Sequence, residues 1–285
     1  MEFSKLGNFF IVICMAAILW AGVLFAFGSN NLNARPAVLA DNKGGAAVLS
    51  TQTDENNDAV PLPPPGQKLE NPPEIMKGIY VTGYSAGTKS YINYLGNLFK
   101  NTEINTVVID IKGSDGYVSY DSGAEDVQKY GLSNHMIANI DNLLKSLHEQ
   151  NIYVIGRIAV FEDPQYAKAR PELAIYNKDK TIESNKVLWK DNNGLAWMDP
   201  ASKDVWDYDI SLAKDALYRG FDEINFDYIR FPSDGNTKNM GFPVYDEKTP
   251  IEKIIKGFFE YLRASLPGEK ISADLFGLVT VNIDD

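Results

Sequence analysis

Three aspartates stand in short apolar segments where a protein interior wants hydrocarbon. Asp110 lies in "TVVIDIK" (Thr106–Lys112), Asp227 in "EINFDYIRF" (Glu223–Phe231) and Asp274 in "ISADLFG" (Ile271–Gly277). A carboxylate in such a place needs a partner or a task. Converging carboxylates suit glycoside cleavage, where one acts as nucleophile or base and another as acid. They also suit a divalent cation held by oxygen ligands. For Asp227 alone, a buried ion pair to Arg157 or Arg230 explains the residue as well as chemistry does.

The elements that must position these acids follow from periodicity. Side chains alternate between the two faces of a strand. In the five strand segments Gly78–Tyr84, Thr106–Lys112, Ile152–Phe161, Glu223–Phe231 and Ile271–Gly277, one phase is nearly all apolar. The other phase carries Tyr80, Thr82 and Tyr84; Val108, Asp110 and Lys112; Tyr153, Ile155, Arg157, Ala159 and Phe161; Asn225, Asp227 and Ile229; and Ser272, Asp274 and Phe276. Between the strands, apolar residues recur at helical spacing, as at Tyr91–Leu95–Leu98–Phe99, Ile137–Ile140–Leu144–Leu147, Val205–Ile210–Ala213–Leu217 and Ile251–Ile254–Ile255–Phe258–Phe259–Leu262. Thr249, Pro250 and Glu252 predict a capping box with proline at the first position of that last helix.

Repeated strand–helix units predict a parallel sheet covered by helices. No glycine-rich phosphate loop follows the first strand, which disfavours a nucleotide-binding doubly wound sheet. The reading is an α/β (βα)8 TIM-type barrel, truncated after about five βα units. A complete barrel takes about 250 residues and keeps its active site at the C-terminal rim. The polar phases would then face the axis and place the three aspartates at that rim.

Other acids have structural readings. Asp163 and Asp199 each precede a proline and predict helix N-caps. Asp115–Gly116 predicts a turn. Asp222 and Glu223 are expected to be solvated, and His148 to be a surface or helix-dipole contact. Trp189, Trp197 and Tyr84 fall near rim loops, where aromatic rings stack on sugars or simply pack.

The chain has 285 residues and a net charge of -11, which argues against nucleic acid as a partner. Its one cysteine, Cys14, allows no internal disulfide, and with only two histidines a zinc site is not expected. Three regions are expected: an N-terminal transmembrane anchor or signal (1–28), a disordered proline-rich linker (29–77) and a barrel domain (78–285). The 19 residues Phe9–Phe27 are uncharged and apolar, long enough to span roughly 28 Å. That length favours an anchor over the shorter apolar core of a cleaved signal. The linker holds half of the 14 prolines. A single-pass membrane protein with an extracytoplasmic barrel is expected, or a secreted one if the first segment is cleaved.

The stretches "GIYVTGYSAG", "NTVVIDIKGSDGYVSYDS", "VIGRIAVFEDP", "GLAWMDPASKDVWDY", "GFDEINFDYIRFPSDG" and "ISADLFG" occur in order. As a set they resemble a bacterial family of glycoside hydrolase-type barrels, distantly similar to the alpha-amylase type. The resemblance implies a (βα)8 barrel acting on polysaccharide at its rim, often in an envelope-anchored protein; separately, no cofactor is expected. In amylase-type barrels the fourth strand ends in an aspartate nucleophile, and Asp227 matches that place. The fifth strand carries an acid that is usually glutamate, where this chain has Asp274. A chitinase-type motif would put glutamate two residues beyond its last aspartate, and Ile229 stands there instead.

The resulting expectation is a membrane-anchored extracytoplasmic glycoside hydrolase. Asp227, Asp274 and Asp110 are its candidate catalytic residues. Arg157, Arg230 and Lys112 are expected to hold Asp227 ionised, and Tyr84, Trp197 and Tyr228 to contact sugar. The alternatives are a non-catalytic carbohydrate-binding barrel and a metal-assisted hydrolase using the same three aspartates.

Overall fold

The computed structural model describes residues 65–182 and 185–276, all within the compact unit Ala59–Asp285. The expected anchor (1–28) and residues 29–64 of the expected linker lie outside the described residues. Among the described residues, no helix is long and apolar enough to cross a membrane.

In chain order the elements are β1 (Gly78–Val81), α1 (Gly83–Gly87), α2 (Lys89–Asn101), β2 (Thr106–Lys112), α3 (Glu125–Tyr130), α4 (Ile140–His148), β3 (Tyr153–Ala159), α5 (Pro164–Ala169), β4 (Tyr176–Asn177), α6 (Lys203–Arg219), β5 (Glu223–Asp227), β6 (Met240–Gly241), α7 (Ile251–Ser265) and β7 (Ile271–Ala273). β1, β2, β3, β5 and β7 form one parallel sheet in that order. β4 and β6 pair antiparallel in a separate ribbon. Each main strand lies beside the next one in the chain, whereas a doubly wound sheet reverses its order part-way.

The two strand phases divide as alternation requires. Val107, Ile109, Ile111, Val154, Ile158, Ile224 and Phe226 are sealed in the core. They lie on the sheet face where α4 buries Leu144 and Leu147 and α6 buries Val205, Leu212 and Ala213. Gly156 makes room there: a Cβ on it would stand 2.2 Å from Ile111 Cδ1. The opposite phase carries Asp110, Arg157, Asn225 and Asp227.

Lys112 departs from its expected face. Asp110 pairs with Arg157, yet Lys112 pairs with Ile158, so the register slips within β2. One extra residue reverses the sidedness of the positions beyond it. Lys112 therefore turns into the core, wholly buried, and its Nζ lies 2.7 Å from both Asp163 Oδ2 and Asp209 Oδ1. It neither contacts Asp227 nor reaches a substrate face. Burial, with the like charge of Asp163, lifts the Asp209 carboxyl to about 7 against the pull of Lys112. A raised acid contributes stability that is full below its unfolded value and is lost as pH rises through about 7.

Local hydrogen bonding corrects other expectations. The first strand stops at Val81 because Thr82 caps α1, its hydroxyl accepting from Ser85 N at 3.2 Å. Tyr84 is thus helical. The helix expected from Ile137 begins at Ile140, capped by Asn139, which accepts from Asn142 N at 2.8 Å. Asp163 caps α5 as expected, accepting from Tyr166 N at 2.8 Å. Asp199 caps no helix. It accepts from Ala201 N and from the amides of Val244 and Tyr245, pinning that distant loop, while α6 starts after Ser202. The capping box at Thr249 does not form, because Asp246 takes both its amide and its hydroxyl and Pro250 itself is the cap. Asp115–Gly116 does form a turn, with Gly116 at φ +79°.

Asp222 and Glu223 are buried, not solvated. Glu223 accepts from Tyr153 Oη and Ser272 Oγ. Asp222 accepts from Leu69 N at 2.6 Å and Val154 N at 2.7 Å, and meets His148 Nε2 at 3.0 Å. With the Gly66 amide on Tyr218 O, this fixes the start of the described chain to the end of the sheet where strands begin.

Lys112→Met should destabilise the fold by about 3–5 kcal/mol, since two buried carboxyls lose their cation. An unfolding free energy from urea titration within about 1 kcal/mol of wild type would refute the paired arrangement.

Candidate active site

Arg157 organises the C-terminal end of the sheet. It lies level with Asp110 on one side and Asn225 on the other, two positions before the Ala159–Asp227 pair. Its side chain therefore reaches forward along the strands. Nη1 donates to Asp110 Oδ1 at 2.7 Å and Nε to Asp227 Oδ2 at 3.1 Å; Nη2 also bonds Asp227 Oδ2. Asp274 Oδ2 lies 3.8 Å from Nε. One guanidinium thus gathers acids from three neighbouring strand ends, as its flat fork of donors allows. Sharing it keeps the Asp110 and Asp227 carboxyls within roughly 9.5 Å, the outer limit for paired glycosidase acids.

Most of the other polar atoms are tied in, the buried Asn225 Oδ1 excepted. Tyr80 Oη donates to Asp110 Oδ2. Asp227 Oδ1 accepts from Tyr228 N at 2.6 Å. Asn225 Nδ2 donates to Ser272 Oγ and to Asp274 Oδ1, both at 3.2 Å. Burial opposes the Arg157 charge, but the hydrogen bonds and charges of Asp227 and Asp110 outweigh it and hold the guanidinium more firmly protonated. Burial, then the Asp110 bond, raises the Tyr80 hydroxyl well above its ordinary value, so it remains a donor. The space a cation would take among the acids is filled by the guanidinium. Among the described residues, no group of three His, Cys, Asp or Glu side chains is arranged to hold a metal ion.

Asp227 ends its strand because Tyr228 adopts φ +55°, a costly backbone for a bulky residue. The Tyr228 ring packs edge-on against Trp197, with centroids 5.9 Å apart. Arg230 does not touch Asp227. It stacks on Trp197 (4.8 Å), Tyr228 (5.6 Å) and Phe276 (4.7 Å), and donates to Ser233 Oγ at 3.2 Å. Trp197 is fully buried, its Nε1 donating to Asp191 Oδ2, so it backs the site without an open face for sugar. Trp189 is buried too, with Nε1 on Asn236 O. Tyr84 is 72% exposed and lines a cleft of about 210 Å³ with Asp110, Ser114, Asp115 and Tyr117.

One residue escaped the strand-phase reading. Glu162, just past β3, is 2% exposed, and its Oε2 has no hydrogen-bond partner. Burial first, then the charge of Asp191, raises its carboxyl to about 7. Its stabilising contribution is full below 4.5 and is lost as pH rises through about 7. The available signal was an acid directly after the apolar "IAVF", before the Asp163–Pro164 cap.

A family described as "Putative glycosyl hydrolase domain" matches residues 78–285. A solved structure of a hypothetical protein from Ruminiclostridium thermocellum ATCC 27405 is 41% identical, with a TM-score of 0.62; the match covers 70% of this chain and 99% of that one. An alpha-galactosidase from Thermus thermophilus (16% identity, TM-score 0.44) matches over 73% of this chain and 39% of its own. An alpha-L-fucosidase from Paenibacillus thiaminolyticus (14% identity, TM-score 0.45) matches over 70% and 32%. This chain thus spans well under half of either glycosidase. Comparison with curated proteins gives no match.

Arg157→Lys keeps the charge but cannot bond two carboxylates in one plane. It should cost about 1–3 kcal/mol, and Arg157→Met more. Thermal unfolding should rank wild type above Lys above Met; equal midpoints would show that the fork does not hold the acids.

Proposed function

The chain belongs to the glycosyl hydrolase family that matches residues 78–285, and we propose that it cleaves a polysaccharide by carboxylate-based catalysis at the Arg157 cluster. The observation that carries this reading is the convergence of Asp110, Asp227 and Asp274 on one guanidinium at the strand C-termini. That end of a parallel barrel is where active sites are built. The sequential strand order supports a (βα)8 barrel to which these five strands belong.

In this reading Asp227 faces the anomeric carbon as nucleophile or as stabiliser of an oxocarbenium-like transition state. Asp110, braced by Tyr80 and Arg157, and Asp274 at the exposed rim orient the sugar. Exposed Tyr84 and half-buried Tyr228 offer ring faces to it, and Arg230 offers donors beside them. The apolar run 9–27 and the proline-rich stretch after it support an extracytoplasmic domain tethered to a membrane.

One observation favours a second reading, glycan binding without hydrolysis. Both Asp227 oxygens are engaged, Oδ2 by Arg157 and Oδ1 by the Tyr228 amide. Each of these hydrogen bonds withdraws charge from the carboxylate and weakens it as a nucleophile.

Asp227→Asn separates the readings. Hydrolysis should fall about 10³-fold or more, the scale of a lost catalytic group, while glycan binding by titration calorimetry changes little. A wild-type chain that binds a glycan panel and releases no reducing ends would establish the binding module instead.

A further inference from the structure

The aspartate cluster supplies negative charge but does not show which group carries a proton to the leaving oxygen. The surroundings of Glu162 do. Asp191 beside it is fully engaged as an acceptor, from Asn193 N and Leu195 N at 2.9 Å and from Trp197 Nε1 at 3.1 Å. Glu162 has no such donors on its buried Oε2. Burial without a donor on that oxygen favours the protonated form of Glu162. Burial and Asp191 favour the neutral form of Glu162, and they outweigh the Tyr228 hydrogen bond and the Arg230 charge, which favour the ionised one.

Tyr228 connects this pair to the cluster. Its backbone follows Asp227 directly, and its carbonyl accepts from Phe161 N, the residue before Glu162. Its hydroxyl is raised by burial, then by the charges of Glu162 and Asp227, so it feels both acids. The Tyr228 ring lies against Trp197, whose backbone bridges to Glu162, and 6.0 Å from the Arg157 Cζ, the guanidinium that binds Asp227.

We propose that Glu162 holds the proton of the cleavage step, acting through the Tyr228 hydroxyl. This rests on the hydrolase reading above. As the bond from the anomeric carbon to the leaving oxygen breaks, its electron pair stays on that oxygen, which takes the Tyr228 proton. Tyr228 takes the proton of Glu162, leaving a carboxylate. Water then adds to the anomeric carbon, and the proton it loses returns through Tyr228 to Glu162. Atoms and charge balance with water as the only co-reactant. Glu162 is thus a positioning residue, and Tyr228 is the group at the substrate.

The test uses the full chain with paired glycosides of one sugar, an alkyl glycoside and a 2,4-dinitrophenyl glycoside. The second leaving group departs without a proton. Glu162→Gln, and independently Tyr228→Phe, should slow alkyl glycoside cleavage by about 10²-fold or more. They should slow the dinitrophenyl glycoside far less. The wild-type loss of rate above pH 7 should disappear in Glu162→Gln. Tyr228→Phe carries the test if the glutamine variant fails to fold. Equal losses on both glycosides, or an alkaline limb that persists, would overturn the proton role while leaving Asp227 in place. Asp227→Asn with unchanged turnover, or no cleavage of any glycoside, would instead sink the hydrolase reading and the proton role with it.

Discussion

The acidic end of this sheet exists because one guanidinium stands inside it. Without Arg157, Asp110 and Asp227 would face one another across a partly buried space, and like charges there repel strongly. With it, each acid has a fixed oxygen position and a neighbour of opposite sign. The arrangement requires β2, β3 and β5 to run side by side in one register. It also requires helices on the far face to bury the other strand phase, so that the polar phase is left for the site.

Much of this was legible in the sequence because alternation is a strong constraint. Asp110, Arg157, Asn225 and Asp227 share a face, as their phases require, and all five main strands lie where the apolar runs put them. The failures have local causes. Lys112 fell on the wrong face because a one-residue slip in β2 leaves no mark in composition. Tyr84 was read as strand because a short cap at Thr82 competes with extended backbone over only a few residues. Asp199 and Thr249 matched capping patterns, but their hydrogen bonds were claimed by residues or loops that only tertiary folding brings near. Asp222 and Glu223 looked solvated because their partners, Leu69, Val154, Tyr153 and Ser272, come from distant segments.

The two buried acid clusters make an instructive pair. Asp209, on the helix side of the sheet, and Glu162, beyond the strand end, are both lifted to about 7. Asp209 is held against Lys112 deep in the core, where no substrate can arrive. Glu162 has no lysine and lies behind the half-buried Tyr228. A similar perturbation therefore carries different meaning in the two places, and geometry decides which one is connected to the site. Sequence could not make that distinction, since each acid has another acid close by in the chain, Asp163 beside Glu162 and Asp207 near Asp209.

The attachment at Asp222 gives the domain a mechanical polarity. The first described residues are fastened by Leu69 to Asp222 and by Gly66 to Tyr218, at the end where strands begin. A tension applied to the chain at residue 65 would load those bonds and the start of β5. The acids lie at the other end of the same strands, so such a pull would not bear on them directly. The molecule can be held by one end while the other stays open to bulky, slowly diffusing material.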